Sequence, residues 1–333
     1  MPIKIGISGF GRIGRCITRA ICELNTKDIQ IIKINATGHV ESNIHLLKYD
    51  SIHGKFNKEL IFSDGILRVA DSEIKMQSER DPNNLNWEGV DIVLECTGKF
   101  NSREQSSVHI TNGARKVLIS APADGVDKTI VYGVNHETLL PTDKIVSNAS
   151  CTTNCLAPIA KILNENLGIK KGFMTTIHSY TGDQPTVDRM HKDLYRARSA
   201  ALSMIPTTTG AAKAVGLVLP ELVGKLDGSA VRVPTANVSL VDLKVITNTK
   251  TSIEEVNHLF ELASKSKALK GILGYSSEPL VSTDYNHDIN SAVFAAKQTN
   301  VMDGNLVRTM SWYDNEWGFS NRMLDTAIAM GSI

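Results

Sequence analysis

Nine residues, Ser147-Asn148-Ala149-Ser150-Cys151-Thr152-Thr153-Asn154-Cys155, hold the densest chemistry in the chain. A serine suited to capping a helix stands directly before Cys151, and two threonines follow it. Free N–H groups and the macrodipole at a helix start favour negative charge, so a thiol there ionises more easily. A thiolate among small hydroxyl side chains suits covalent catalysis on an anionic substrate. The opposing reading, a buried thiol that packs as a small hydrophobe, fits Cys155. Cys155 falls four residues on, on the same helix face, and no further ligands stand nearby to make a metal site. His178 ends a β-like run from Gly172 and is a candidate general base, although spacing alone does not bring it to Cys151. Thr181-Gly182-Asp183, Arg196-Ala197-Arg198, Thr207-Thr208-Thr209-Gly210 and Arg232 offer donors for phosphate groups from separate loops. Thr209-Gly210 reads equally well as a cap for a helix over Ala211 to Val218.

The elements that must carry these groups fall into two halves. Ile3 to Ser8 is β-like, Gly9-Phe10-Gly11-Arg12-Ile13-Gly14 follows at once, and Ile13 to Leu24 continues with helical spacing. In such a turn Gly9 makes the tight bend, Gly11 lets the backbone approach a pyrophosphate, and Gly14 lets helix and strand pack closely. A second strand, Ile29 to Asn35, completes a βαβ unit. It ends without the carboxylate that meets the adenosine ribose: Asn35 has an amide to offer a hydroxyl, and Ala36 offers nothing. A missing acid removes repulsion of a 2′-phosphate, which leaves NADP open beside NAD. Strands over 91–98 and 116–122 carry Thr97, Gly98 and Ser120 to the sheet edge where ligands lie. Between them Gln105 to Gly113 reads as a helix, and Ile130 to Val134 and Lys144 to Asn148 as strands, the last leading to Cys151. The second half begins with a helix over Cys151 to Leu167, stopped by Gly168. Strands over 231–234, 237–247, 292–296 and 306–313 follow, with a helix over Ser252 to Ser264 that has Glu255 at the capping-box position.

The 333-residue length suggests about two domains. A net charge of +1 gives no electrostatic reason for a nucleic-acid or membrane partner. No apolar run approaches the ~20 residues that span a bilayer. Met1-Pro2-Ile3 leads into a strand without a signal-peptide pattern. Five cysteines, with Cys16, Cys22 and Cys96 in apolar contexts, do not make a disulfide framework, and the expected compartment is the reducing cytoplasm.

With these residues assembled, the whole chain resembles the phosphorylating glyceraldehyde-3-phosphate dehydrogenase family. The likeness rests on the glycine turn, Lys48-Tyr49-Asp50-Ser51-Ile52-His53-Gly54, Ser147 to Cys155, Thr207 to Val215, Arg232-Val233-Pro234-Thr235 and Trp312-Tyr313-Asp314-Asn315-Glu316. It implies an α/β fold: a doubly wound Rossmann domain over 1–150, rejoined by a C-terminal helix over about 316–333, and an α+β catalytic domain over 151–315 on a mostly antiparallel sheet. It implies that Cys151 attacks the aldehyde of glyceraldehyde 3-phosphate, that His178 assists and takes a proton as hydride leaves, and that inorganic phosphate then attacks the thioester. Thr181, Arg196 and Arg232 would bind the substrate phosphate or its surroundings. Ser150, Thr152, Thr209 and Gly210 would meet the attacking phosphate. Arg12, Ile13, Arg80, Ser120 and Asn315 would contact the cofactor, beside Gly9, Gly11, Gly14, Asn35, Thr97 and Gly98. No metal is implied, and a homotetramer is, with the long loop after His178 between subunits. Ala36 in place of an aspartate, and Arg189-Met190 where NAD-specific members have Leu-Pro, both favour NADP; Gly182 and Phe319 also depart from the common pattern. The alternative activity is that of a sister enzyme, erythrose-4-phosphate dehydrogenase, which hydrolyses its thioester. From a different class comes a binding or scaffold role on a retired enzyme.

Overall fold

The computed structural model describes residues 2–24, 26–70 and 72–333. The chain divides into two compact units, 1–150 with 320–333, and 151–319. In the first, nine strands run in the order Lys128–Thr129, Ile145–Ser147, Lys116–Ile119, Ile92–Glu95, Ile3–Ser8, Ile29–Asn35, Ser72–Gln77, Ile66–Val69 and Leu60–Ser63. The first seven are parallel and the last two antiparallel. Central strands buried on both faces must be apolar throughout. Ile92–Glu95 and Lys116–Ile119 are accordingly almost wholly buried. Helices Arg12–Leu24 and Arg103–Thr111 make the crossovers. Residues 320–331 of the last helix, Trp317–Gly331, belong to the same unit, where Gly331 presses on Ile3.

The second unit is built on an eight-stranded sheet. Its main path runs Ile205–Thr208, Leu226–Val233, Ile169–Ser179, Ser239–Thr247, Leu306–Tyr313, Ala292–Ala295 and Leu273–Ser276, with Asn300–Met302 beside Leu306–Tyr313. Most neighbours are antiparallel; Ile169–Ser179 with Leu226–Val233, and Leu273–Ser276 with Ala292–Ala295, are parallel. The helix Cys151–Leu167 is buried along nearly its whole length. Helix Ile253–Lys265 starts at Ser252 with the complete capping box, side chain and backbone of Ser252 and Glu255 bonding each other. The α/β class with a Rossmann-type sheet is as expected from sequence.

Several local expectations differ. Residues 130–134 form no strand, because Asn135 folds back and its side chain takes the partners a strand would have used: its Oδ1 accepts from Val131 N and its Nδ2 donates to the Thr129 carbonyl. The helix Val40–Lys48 and the three antiparallel strands within 60–77 lack a clean period and were not anticipated. Among the described residues no helix is long and apolar enough to cross a membrane.

Candidate active site and dinucleotide cleft

In the first unit, the end of strand Ile3–Ser8 and the glycine turn open onto a cleft of about 340 Å3. Gly9, Gly11, Asn35, Arg80 and Thr97 line it together with Ala36, Glu79 and Lys99. Each glycine has a distinct reason. Gly9 lies at φ +93°, and a Cβ there would meet Thr97 N at 2.7 Å. A Cβ on Gly14 would strike the Gly9 carbonyl at 2.3 Å, whereas one on Gly11 would meet nothing within 4 Å. Gly11 therefore keeps the cleft floor bare at the start of helix Arg12–Leu24, a geometry suited to a pyrophosphate.

Asn35 bonds both backbone groups of Glu79, its Nδ2 donating to the carbonyl at 3.0 Å and its Oδ1 accepting from the amide at 2.9 Å. One N–H and one lone pair of its amide remain. This clasp sets Arg80 at the cleft. Arg12 donates twice to Asp50 (2.5 and 3.1 Å). Burial alone would push the Asp50 carboxyl up, but Arg12 and the His53 and Ile52 amides outweigh it and hold it down at about 2. Ile13 and Gly14 lie in the first turn of the helix, and Gly98 sits at φ +69° beside Thr97. Ser120 follows strand Lys116–Ile119 and bonds the Cys96 thiol.

Cys151 opens the long helix of the second unit. The chain reaches it through Ala149, a buried residue at φ +55°, held there by Ser147, whose Oγ accepts from Ala149 N and donates to the Ala121 carbonyl. A left-handed non-glycine costs about 1–3 kcal/mol and persists only where its surroundings over-determine it. Across the sheet, the parallel register pairs His178 with Arg232, and the antiparallel one pairs Arg232 with Ile205, two residues before Thr207. Neighbours in register present side chains side by side. From the start of its helix, Cys151 Sγ stands 3.6 Å from His178 Nε2. Arg232 Nη1 stands 2.8 Å from His178 Nδ1 and donates to the Ser179 carbonyl at 2.9 Å.

Two neighbours compete for His178 Nδ1. His178 Nδ1 lies 2.7 Å from the Ser179 carbonyl, which only accepts. Arg232 Nη1, which only donates, makes the opposite demand on Nδ1 but has the Ser179 carbonyl as an acceptor of its own; with the proton on Nδ1, the Nε2 lone pair faces the thiol. Burial, with Arg232 and then Arg196 adding positive charge nearby, pushes His178 down to about 3. The imidazole is therefore neutral near pH 7. Cys151 behaves differently from the sequence expectation. Burial is the largest influence on it and raises its thiol, while Arg232 and hydrogen bonds from Thr152 pull the other way without winning. The helix start makes a thiolate accessible here; desolvation keeps the resting group a thiol.

Around this pair the remaining candidates divide. Thr152 Oγ1 meets the Tyr313 hydroxyl at 2.9 Å, and Thr176 Oγ1 meets it at 2.8 Å. Tyr313 is buried, edge-on to the His178 ring, and was not singled out from sequence for the site. Its signal was the strict alternation of Leu306–Tyr313, which buries residues 307, 309, 311 and 313. Arg196 donates to Asp183 (2.7 Å), Thr207 Oγ1 (3.0 Å) and the Thr208 carbonyl (3.4 Å). Thr181 is tied to Gln184 through its N–H and hydroxyl. Thr209 Oγ1 accepts from Ala211 N, and Gly210 is the N-cap residue of helix Ala211–Val218. Asn315 belongs to this unit, unlike the other cofactor candidates, and its Oδ1 accepts from Ser179 Oγ (2.8 Å) and Ser239 Oγ (2.9 Å). Ser150 immediately precedes Cys151 at the end of the first unit. Cys155 is fully buried, with its sulfur 3.9 Å from the Ser311 carbonyl, a packing position.

Comparison with known proteins identifies the family. Residues 3–103 match the glyceraldehyde 3-phosphate dehydrogenase NAD binding domain, and residues 150–315 match the C-terminal domain of the same family. The chain is 60% identical to the glyceraldehyde-3-phosphate dehydrogenase of Cereibacter sphaeroides over 333 residues, all of both chains. It is 59% identical to that of Xanthobacter flavus over 335 aligned positions, again all of both. The enzyme of Pseudomonas aeruginosa is 55% identical, covering 100% of this chain and 99% of its own. The chain belongs to the glyceraldehyde-3-phosphate dehydrogenase family.

Proposed function

We propose that the chain is a phosphorylating dehydrogenase that oxidises glyceraldehyde 3-phosphate to 1,3-bisphosphoglycerate with NAD, using Cys151 as nucleophile and His178 as base. The observation that carries this reading is the 3.6 Å approach of a thiol to a neutral imidazole whose outer nitrogen faces the Ser179 carbonyl. His178 Nε2 takes the Cys151 proton as sulfur bonds the aldehyde carbon, and returns it to the oxygen, giving a thiohemiacetal. Bound NAD supplies the acceptor for the hydride that leaves that carbon. As it leaves, His178 removes the hydroxyl proton, and a Cys151 thioester remains. An oxygen of inorganic phosphate attacks the thioester carbon; the C–S bond breaks, the Cys151 sulfur leaves with the bonding pair and takes the proton held by His178, and the acyl phosphate departs. Thr181, Arg196 and Arg232 supply cationic and hydroxyl donors for the substrate phosphate, and Ser150, Thr152, Thr209 and Gly210 for the attacking one. Asn315, clasped by two serine hydroxyls, is assigned to cofactor orientation.

Residues 1–150 with the C-terminal helix form the cofactor domain in this reading, and 151–315 the catalytic domain. The long loop after His178 supports a homotetramer: Val187, Met190, Leu194, Leu202 and Met204 expose large apolar side chains, Met190 at 96%. Five cysteines outside any disulfide support a reducing cytoplasmic setting.

The test is reduction of NAD+ by the purified protein. Turnover must require both the aldehyde and phosphate, and must favour glyceraldehyde 3-phosphate over erythrose 4-phosphate. Equal turnover without phosphate removes the acyl-phosphate step, and preference for the four-carbon aldehyde moves the chain to the sister activity. No turnover at all, with an ordinary Cys151 thiol of pKa about 8.5, would point to a retired enzyme.

A further inference from the structure

Beneath the cofactor cleft lies a chain of buried polar groups that the catalytic steps do not use. Trp87 Nε1 donates to His109 Nδ1 at 3.0 Å, and His109 Nε2 meets Glu95 Oε2 at 2.9 Å. Glu95 Oε1 accepts from the Thr97 amide at 2.7 Å and from the Thr97 hydroxyl. Trp87, His109 and Glu95 are each 0–1% exposed, and among the described residues no Lys or Arg pairs with Glu95.

Donor counting leaves one arrangement. An indole N–H only donates, so His109 Nδ1 must accept, and the imidazole proton sits on Nε2, pointing at Glu95. A second proton on Nδ1 would face the indole N–H. Glu95 therefore receives three hydrogen bonds. Two of the three come from Thr97, fixing both its backbone and its hydroxyl. That backbone is what the glycine turn closes on, since a Cβ on Gly9 would lie 2.7 Å from Thr97 N and 2.9 Å from its Cα. Gly9 and Thr97 both line the cleft.

We infer that Glu95, locked by His109 and Trp87, is a positioning residue that holds Thr97 where the glycine turn can close around the dinucleotide. This rests on the first unit being the NAD domain. Calorimetric titration of NAD+ into the full-length protein tests it. In Glu95→Gln an amide N–H faces the His109 Nε2–H, and the other tautomer is barred by the indole. The NAD+ dissociation constant should rise about tenfold, the cost of one lost or opposed buried hydrogen bond. The maximal rate at saturating NAD+ should stay within about twofold, since a cleft defect is uniform binding. In the Trp87→Phe background the imidazole is free to change tautomer, and the same exchange should cost less than about threefold. Unchanged affinity in Glu95→Gln, or the same penalty in both backgrounds, overturns the inference. Should Glu95→Gln not fold, Glu95→Asp, which draws the carboxylate back by one methylene, should bind NAD+ about fivefold more weakly. Parental affinity in Glu95→Asp also overturns it. If the unaltered protein takes up no NAD+, the functional reading falls first.

Discussion

Arg232 and Cys151 face opposite nitrogens of one imidazole, and of the two it is Arg232 that lies closer to His178, with Nη1 2.8 Å from Nδ1 against 3.6 Å from Sγ to Nε2. The guanidinium therefore acts on both partners: it disfavours a proton on His178 and favours loss of one from Cys151. Replacing it by a neutral group, Arg232→Gln, should move the Cys151 thiol to higher pKa. The pH midpoint for inactivation by iodoacetamide should rise, with slower alkylation at pH 7. A midpoint displaced to lower pH would show that Arg232 does not stabilise the thiolate.

His178 also links stability to pH. Its folded pKa of about 3 lies below the ordinary value of 6.5, chiefly through burial and then through Arg232. The folded state thus binds fewer protons than the unfolded chain in this window. The contribution is whole above pH 6.5 and is lost as pH falls toward 3, at up to about 1.4 kcal/mol per pH unit. Urea midpoints of the native protein should fall more steeply between pH 6.5 and 4 than those of His178→Asn. Parallel curves would contradict a buried, neutral imidazole.

The three glycines of the turn should separate stability from binding. Gly14→Ala drives a Cβ to 2.3 Å from the Gly9 carbonyl, and Gly9→Ala adds left-handed strain to backbone contact. Both should lower the unfolding free energy by roughly 2 kcal/mol or more. Gly11→Ala meets nothing and should keep its thermal midpoint, yet weaken NAD+ binding about tenfold by occupying the cleft floor. Thermal scans and calorimetric titration of the three proteins decide the matter; a destabilised Gly11→Ala with normal affinity would reverse the assignment.

Ala36 lines the cleft at the end of strand Ile29–Asn35, where Glu79, Arg80 and Lys99 also stand and, among the described residues, no aspartate does. Ala36→Asp should raise the NAD-to-NADP ratio of kcat/KM by roughly tenfold, because a carboxylate bonds the 2′-hydroxyl and repels a 2′-phosphate. The ratio is read within one protein, so a loss of stability cancels. An unchanged ratio would mean that the 2′ position lies away from residue 36.

Much of the scaffold was legible in order. Ile3–Ser8, the glycine turn and helix Arg12–Leu24 share a strand-to-helix change of period that no competing pattern blurs. Helix Cys151–Leu167 carries its stop in Gly168, at φ +68°. Residues 130–134 misled because their apolar run looks like a strand, while the Asn135 side chain diverts its hydrogen bonds. Helix Val40–Lys48 was missed because it buries only Leu47 and so shows no apolar stripe.

The local sequence by itself determined which residue begins a helix with a thiol, where the phosphate-type turn lies, and which side chains are available as donors, since each depends on neighbours within a few positions. Tertiary structure alone decided that His178 lies beside Arg232 and within reach of Cys151, because strand register joins segments 54 residues apart. It also decided the resting charge of the thiol. A helix start can be read from a few letters, but desolvation depends on everything packed around the sulfur, and at Cys151 that burial outweighs the favourable address.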